Sequence, residues 1–167
     1  MASALVILVL VVALALAFDY VNGFHDTANA VATVISTGVL PGRTAVLLAA
    51  VCNFAGAFLS LRVAKTIGED IADPASVTQV AVAAALVGAT FWNLFTWYYG
   101  IPSSSSHALV GGIVGAVWCH RVVHGEAAGP ALWGLLTSTG VVKTLNGLVL
   151  SPIIGMLSGF VLMVLLA

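Results

Sequence analysis

Two short stretches of this sequence hold polar side chains of kinds and spacings that could do chemistry. The first is Asp19-Tyr-Val-Asn22-Gly23-Phe-His25-Asp26-Thr27-Ala-Asn29, which packs two carboxylates, one imidazole and two carboxamides into eleven residues. If residues 26–37 are helical, Asp26 and Asn29 stand at i and i+3 and share one face. Two oxygen-bearing side chains on one face can coordinate a hard cation, and the carboxylate can also receive a proton. An interfacial loop is the alternative, and the apolar run 30–35 that follows at once argues against it. The second stretch is Ile101-Pro-Ser103-Ser104-Ser105-Ser106-His107, followed by an apolar, Gly-rich run. An early proline and serines ahead of an apolar run mark a helix N-terminus. Unpaired backbone N–H groups and the positive end of the helix dipole, joined by four hydroxyls, form an oxyanion-binding arrangement. It contains no Lys or Arg, so it would hold an anion without trapping it by full charge. A plain capped helix start with an interfacial His107 is the alternative.

The elements that must position these residues are membrane helices. Hydrophobic types make up 61% of the 167 residues and charged types 7%, against roughly 45–50% and about 25% in soluble proteins. No charged residue occurs in 1–18, 74–120 or 144–167. A span needs about 20 largely apolar residues, so the fold class expected is an all-α integral membrane protein, a polytopic bundle forming a single transmembrane domain over 1–167. Hydropathy predicts spans at 3–22 and 44–64, with a more polar segment at 24–37 that re-enters the membrane after a break at Gly23. A polar connection follows at 65–76, after Arg62 and Lys65. A third span covers 77–99, with Trp92, Trp97, Tyr98 and Tyr99 at headgroup level. An apolar helix over 107–119, a connection at 120–130, a partial segment and a last span at 145–167 complete the chain. Gly111 and Gly115 form a GxxxG that would permit close helix approach.

A charged side chain at a helix centre costs about 2.5–3.5 kcal/mol on insertion scales, so the two polar islands are informative. A broken helix whose N-terminus faces an anion, beside a cluster suited to a cation, is the usual site of a secondary transporter. Other classes fall away. Five basic residues and a net charge of −1 leave no footprint for nucleic acid. Cys52 and Cys119 lack metal-ligand spacing. A serine hydrolase would need a positioned base, and neighbouring Ser106 and His107 diverge by about 100° on a helix. The chain is expected not to be an enzyme and to carry no resident cofactor or firmly assigned metal.

Gly23-Phe-His-Asp-Thr-Ala-Asn-Ala-Val-Ala-Thr33 and Asn93-Leu-Phe-Thr-Trp-Tyr-Tyr-Gly-Ile-Pro-Ser-Ser-Ser-Ser-His107 closely resemble the inorganic phosphate transporter (Pit) family, in its bacterial low-affinity branch. The resemblance runs through essentially the whole chain, including Ser151-Pro-Ile-Ile-Gly155. It implies half of an inverted-repeat transporter in the bacterial plasma (inner) membrane, with phosphate and cations bound between two halves. On that resemblance Ser103, Ser104, Ser105 and Ser106 bind phosphate, and His25, Asp26 and Asn29 handle the cation or proton. Thr27, Asn93 and His107 are candidate supports. The chain resembles only the N-terminal half, since the second Asp/Asn and Ser-rich motifs are absent. A missing C-terminal half or a homo-oligomer would complete it, and a non-transporting subunit or truncated fragment is the alternative. Many sodium-coupled relatives carry Asn-Asp where this chain has His25-Asp26. The branch it resembles is associated with proton symport, often of phosphate complexed with Mg²⁺ or another divalent metal. A histidine that changes charge near neutral pH fits proton coupling, and a plain hydrogen-bonding role remains open. Arsenate should compete with phosphate.

Overall fold

Hydrocarbon offers no partner for backbone N–H and C=O groups, so an apolar chain in a bilayer satisfies them within helices. The computed structural model describes residues 2–59 and 77–166, and its regular elements are all helices. In chain order they are α1 (Ala2–Ser36), α2 (Gly42–Leu59), α3 (Gln79–Tyr98), α4 (Ser105–Val123), α5 (Ala128–Leu136) and α6 (Thr139–Leu166). Among the described residues four of these, α1, α3, α4 and α6, are long and apolar enough to cross a membrane. The expected all-α polytopic membrane fold is what the structure has.

The break expected at Gly23 does not exist. Residues 3–22 and 24–37 belong to one helix of 35 residues, with no re-entrant turn between them. A glycine inside a helix costs about 1 kcal/mol relative to alanine. Interrupting the helix in lipid would cost several kcal/mol for each backbone group left unsatisfied. The helix therefore continues through Gly23, and stops where polar atoms can close it. Thr37 Oγ1 donates to Thr33 O at 2.7 Å, and Gly38 takes a positive φ of 71°.

The chain does break between α3 and α4, by a different device. Gly100 adopts a φ of +65°, Gly100 N donates to Trp97 O at 3.1 Å, and Ile101 N donates to Thr96 O at 2.8 Å. This is a Schellman closure, and Pro102 follows, which cannot continue a helix. The next helix starts at once, with Ser104 as N-cap. α4 is longer than the 107–119 expected and ends in the same way at Gly125, with Glu126 N donating to Arg121 O. The connection expected at 120–130 shrinks accordingly. The partial segment before the last span is α5 and the start of α6, and α6 carries Pro152 inside it. The 65–76 connection, Arg62, Lys65 and the end of the 44–64 span lie outside the described residues.

α1, α3 and α4 pack together. Phe18, Leu86 and Ala89 form a buried cluster joined by Leu14, Ala108 and Leu109, while Val117 and Leu135 tie α4 to α5. Phe18 meets Leu86 and Ala89, and His25 meets Thr96, so α1 and α3 run parallel. α4 returns antiparallel to both. Close approach of α3 and α4 occurs at Gly112, where a Cβ would sit 2.7 Å from Ala85 O. The GxxxG glycines do not serve this purpose, because among the described residues a Cβ on Gly111 or Gly115 would meet nothing within 4 Å. Contact is set by which glycine faces the partner helix, and here it is the one beside the motif.

Candidate functional site

The hairpin tip between α3 and α4 lies against the polar stretch of α1, which brings both sequence islands together. Ser105 Oγ donates to Asp26 Oδ1 at 2.7 Å, a charge-assisted length. Asn29 Nδ2 donates to Ser103 O at 3.4 Å. Helix periodicity is why both bonds form, since Asp26 and Asn29 are one turn apart on the face of α1 turned to the tip. The amides of Ser105 and Ser106, in the first turn of α4, have no acceptor within their own helix. The Asp26 carboxylate thus sits at the positive end of the α4 dipole.

The four serines differ in their surroundings. Ser105 is fully buried, while Ser106 and His107 are exposed. Ser104 caps the helix, its Oγ accepting from His107 N at 3.5 Å. Ser103 Oγ accepts from Trp92 Nε1 at 3.2 Å. Ser103, Ser104 and His107 line a cavity of about 730 Å³ that is walled by Trp92 and Gly88 of α3 and by Val141, Thr144, Leu145 and Leu148 of α6. No serine hydroxyl in this run is hydrogen-bonded to a histidine ring among the described residues, so the pairing a nucleophilic serine needs is not formed.

Behind the serines is a buried polar layer. His25 is 5% exposed and its Nε2 lies 3.4 Å from Thr96 Oγ1. Its Nδ1 is 3.7 Å from Asp26 Oδ1, beyond hydrogen-bond length, and has no hydrogen-bond partner. Thr96 also donates to Trp92 O and Asn93 O within α3. Asn93 is wholly buried, and neither its Nδ2 nor its Oδ1 has a partner among the described residues. Orphaned polar atoms at this depth are costly and mark a place that a polar guest would satisfy. The Asp26 side chain itself is 46% exposed, so the carboxylate can be reached. Thr27, half-buried beside it, enters none of these bonds. Among the described residues no group of three His, Cys, Asp or Glu gathers to hold a metal.

Of the residues named from the sequence, the structure brings Asp26, Asn29 and His25 to Ser103 and Ser105 or to one another, buries Asn93 within α3 and leaves Ser106 exposed. Sequence reasoning missed Thr96 and read Trp92 only as an interfacial ring. A signal existed: Ala85, Ala89, Asn93 and Thr96 recur at helical spacing, and all four are buried.

Comparison with known proteins gives the family of the chain. The family described as the Phosphate transporter family matches over residues 22–167. The chain is 50% identical over 160 residues to a "Probable low-affinity inorganic phosphate transporter" of Bacillus subtilis (strain 168), covering 95% of this chain and 45% of that protein. It is 46% identical over 164 residues to a protein of the same name from Streptomyces halstedii, covering 96% and 71%. It is 38% identical over 157 residues to the "Low-affinity inorganic phosphate transporter PitA" of Escherichia coli (strain K12), covering 90% and 31%. The chain thus spans less than half the length of the Bacillus and Escherichia relatives. No solved structure matches it.

Proposed function

Because this chain belongs to the phosphate transporter family, we propose that it forms part of a carrier moving inorganic phosphate across the bacterial plasma membrane together with a cation. The observation that carries the reading is the 2.7 Å bond between Ser105 and Asp26. It joins the residue best suited to a cation to the helix terminus best suited to an anion.

In this reading phosphate enters the cavity from its open side and is held by the hydroxyls of Ser103 and Ser104 and the first-turn amides of α4. Ser105 and the exposed Ser106 contribute as the site reorganises around its guest. Asp26 and Asn29 take the cation or proton, and His25 stands behind Asp26. Neither guest needs covalent chemistry, and each offsets the other's charge where the local dielectric is low. The chain is not an enzyme. The orphaned Asn93 amide supplies donor and acceptor capacity for the loaded state, with His107 at the cavity rim. Phosphate complexed with Mg²⁺ fits the same arrangement, the metal travelling as cargo, and arsenate has the shape and charge to compete.

A second reading is favoured by one observation, the 45% share of the Bacillus relative that the chain covers. In it the site is completed by a second half, supplied by further sequence or by another copy, and the chain alone does not transport.

The test is phosphate uptake into proteoliposomes under an inward proton gradient with Mg²⁺, then under an inward Na⁺ gradient. Uptake that follows one gradient and is lost in Asp26→Asn is expected. Equal uptake by that variant would remove Asp26 from coupling. Failure of folded protein to take up phosphate under either gradient would favour the second reading.

A further inference from the structure

The hydroxyl groups at the tip are not equally available to a guest. Each serine has a single O–H to donate. Ser103 Oγ accepts from Trp92 Nε1 and Ser104 Oγ accepts from His107 N, so the proton of each remains to be given. The Ser105 proton is already given to Asp26. Ser105 is also the serine with no exposure at all, so its hydroxyl has no solvent to turn to instead. A carboxylate at a helix N-terminus sits where a phosphate oxygen would sit, attracted by the same dipole and the same amides. The basic group facing it is His25 Nδ1, at 3.7 Å.

We propose that the Asp26 carboxylate is the resident anion of the α4 terminus, so that phosphate must displace it from Ser105 and a coupling cation must first draw it away. This rests on the phosphate-carrier reading above and goes beyond it in fixing an order. Without a cation the terminus is plugged by the protein's own carboxylate, which withholds a donor and repels the incoming anion. When a cation takes Asp26, two things change together. The negative charge beside the site is balanced, and the Ser105 hydroxyl is freed to turn toward phosphate. The side chain has room for this movement, being 46% exposed. The arrangement prevents phosphate from moving alone, because the empty carrier presents no complete anion site.

The proposal separates binding from transport. Asp26→Asn loses uptake, since nothing carries the cation, yet binds phosphate better. The experiment is calorimetric titration of inorganic phosphate into the full chain in detergent micelles, at neutral pH in a Na⁺-free buffer. It compares the unaltered chain, Asp26→Asn, Ser105→Ala and the double variant, with Asp26→Ala replacing Asp26→Asn should the latter not fold. The expected result is at least a tenfold gain in affinity for Asp26→Asn over the unaltered chain, and loss of most of that gain when Ser105 is also alanine. Unchanged or weaker binding by Asp26→Asn would overturn the proposal. So would an equal gain in the Ser105→Ala background, which would reduce Asp26 to a distant repelling charge. Absence of phosphate binding by all four folded chains would overturn the proposal for this chain and favour the second reading above, in which the site is incomplete without a further half.

Discussion

Replacing Gly112 with alanine tests the packing that holds the serine-bearing helix in place. The new Cβ would lie 2.7 Å from Ala85 O and 3.3 Å from Ala85 Cα, where ordinary contact begins at 3.4 Å. The obstacle is backbone on a neighbouring helix, which cannot rotate away as a side chain can. α3 and α4 must separate by several tenths of an ångström along a seam already close-packed. Overpacking of this kind costs about 1–3 kcal/mol. Alanine also returns about 0.8–1 kcal/mol of helix propensity, so Gly112→Ala alone should be near neutral to about 2 kcal/mol destabilised. The internal controls are Gly111→Ala and Gly115→Ala, which meet nothing within 4 Å and collect the propensity gain alone. Propensity cancels in the comparison, so Gly112→Ala should be about 1–3 kcal/mol less stable than either control. Unfolding in mixed micelles against a denaturing detergent, followed by tryptophan fluorescence, measures this. Equal stability of the three variants would refute the claim that Gly112, and not the GxxxG pair, is the contact point.

Two further substitutions probe the buried polar layer. Asn93→Leu replaces a fully buried amide with no partners among the described residues by an apolar side chain of the same branched shape, somewhat larger in volume. It should gain about 1–3 kcal/mol of stability while lowering phosphate uptake, and a loss of stability in the same unfolding assay would mean the amide is satisfied in the folded chain. Trp92→Phe keeps a ring in the cavity wall but removes the indole N–H that holds Ser103. One neutral hydrogen bond is worth about 0.5–1.5 kcal/mol, so phosphate affinity should fall roughly two- to tenfold with folding retained, and unchanged affinity in a phosphate titration would remove Trp92 from the positioning of Ser103.

The candidate site was largely legible in the sequence because a bilayer penalises polarity so heavily that few polar residues remain to distract. Asp26, Asn29 and the serine run stand out for that reason, and the Ser105–Asp26 bond brings the two stretches into contact. What the sequence hid were matters of competition between helices. Gly23 looked like a break because glycine breaks helices in water, where the freed backbone groups find solvent; in lipid they do not. The GxxxG pair looked like a contact because the motif is written in one helix, whereas the contact depends on where Ala85 lies in another. Thr96 was overlooked because a single threonine is cheap in a membrane helix when it can bond back to its own backbone, as it does to Trp92 O and Asn93 O. Its second use, facing His25, depends on the register of α1 against α3, which no local pattern encodes.

That register also sets how deep the site lies. α1 has 35 residues and is therefore about 52 Å long at 1.5 Å per residue, against a hydrocarbon core of about 30 Å and a full bilayer of about 40–45 Å. Even a tilt of about 40° leaves it reaching from one headgroup layer to the other. α3, with 20 residues, is about 30 Å long. The Asn29–Ser103 bond places the α3–α4 tip roughly 10 Å short of the end of α1. Asp26 is ten residues from that end, about 15 Å along the axis and less in depth once the helix tilts. With α1 centred on the bilayer, that spacing puts the carboxylate between the midplane and the hydrocarbon boundary. The α4 dipole offsets part of the cost of a charge there, and the Ser105 hydroxyl supplies a hydrogen bond to it.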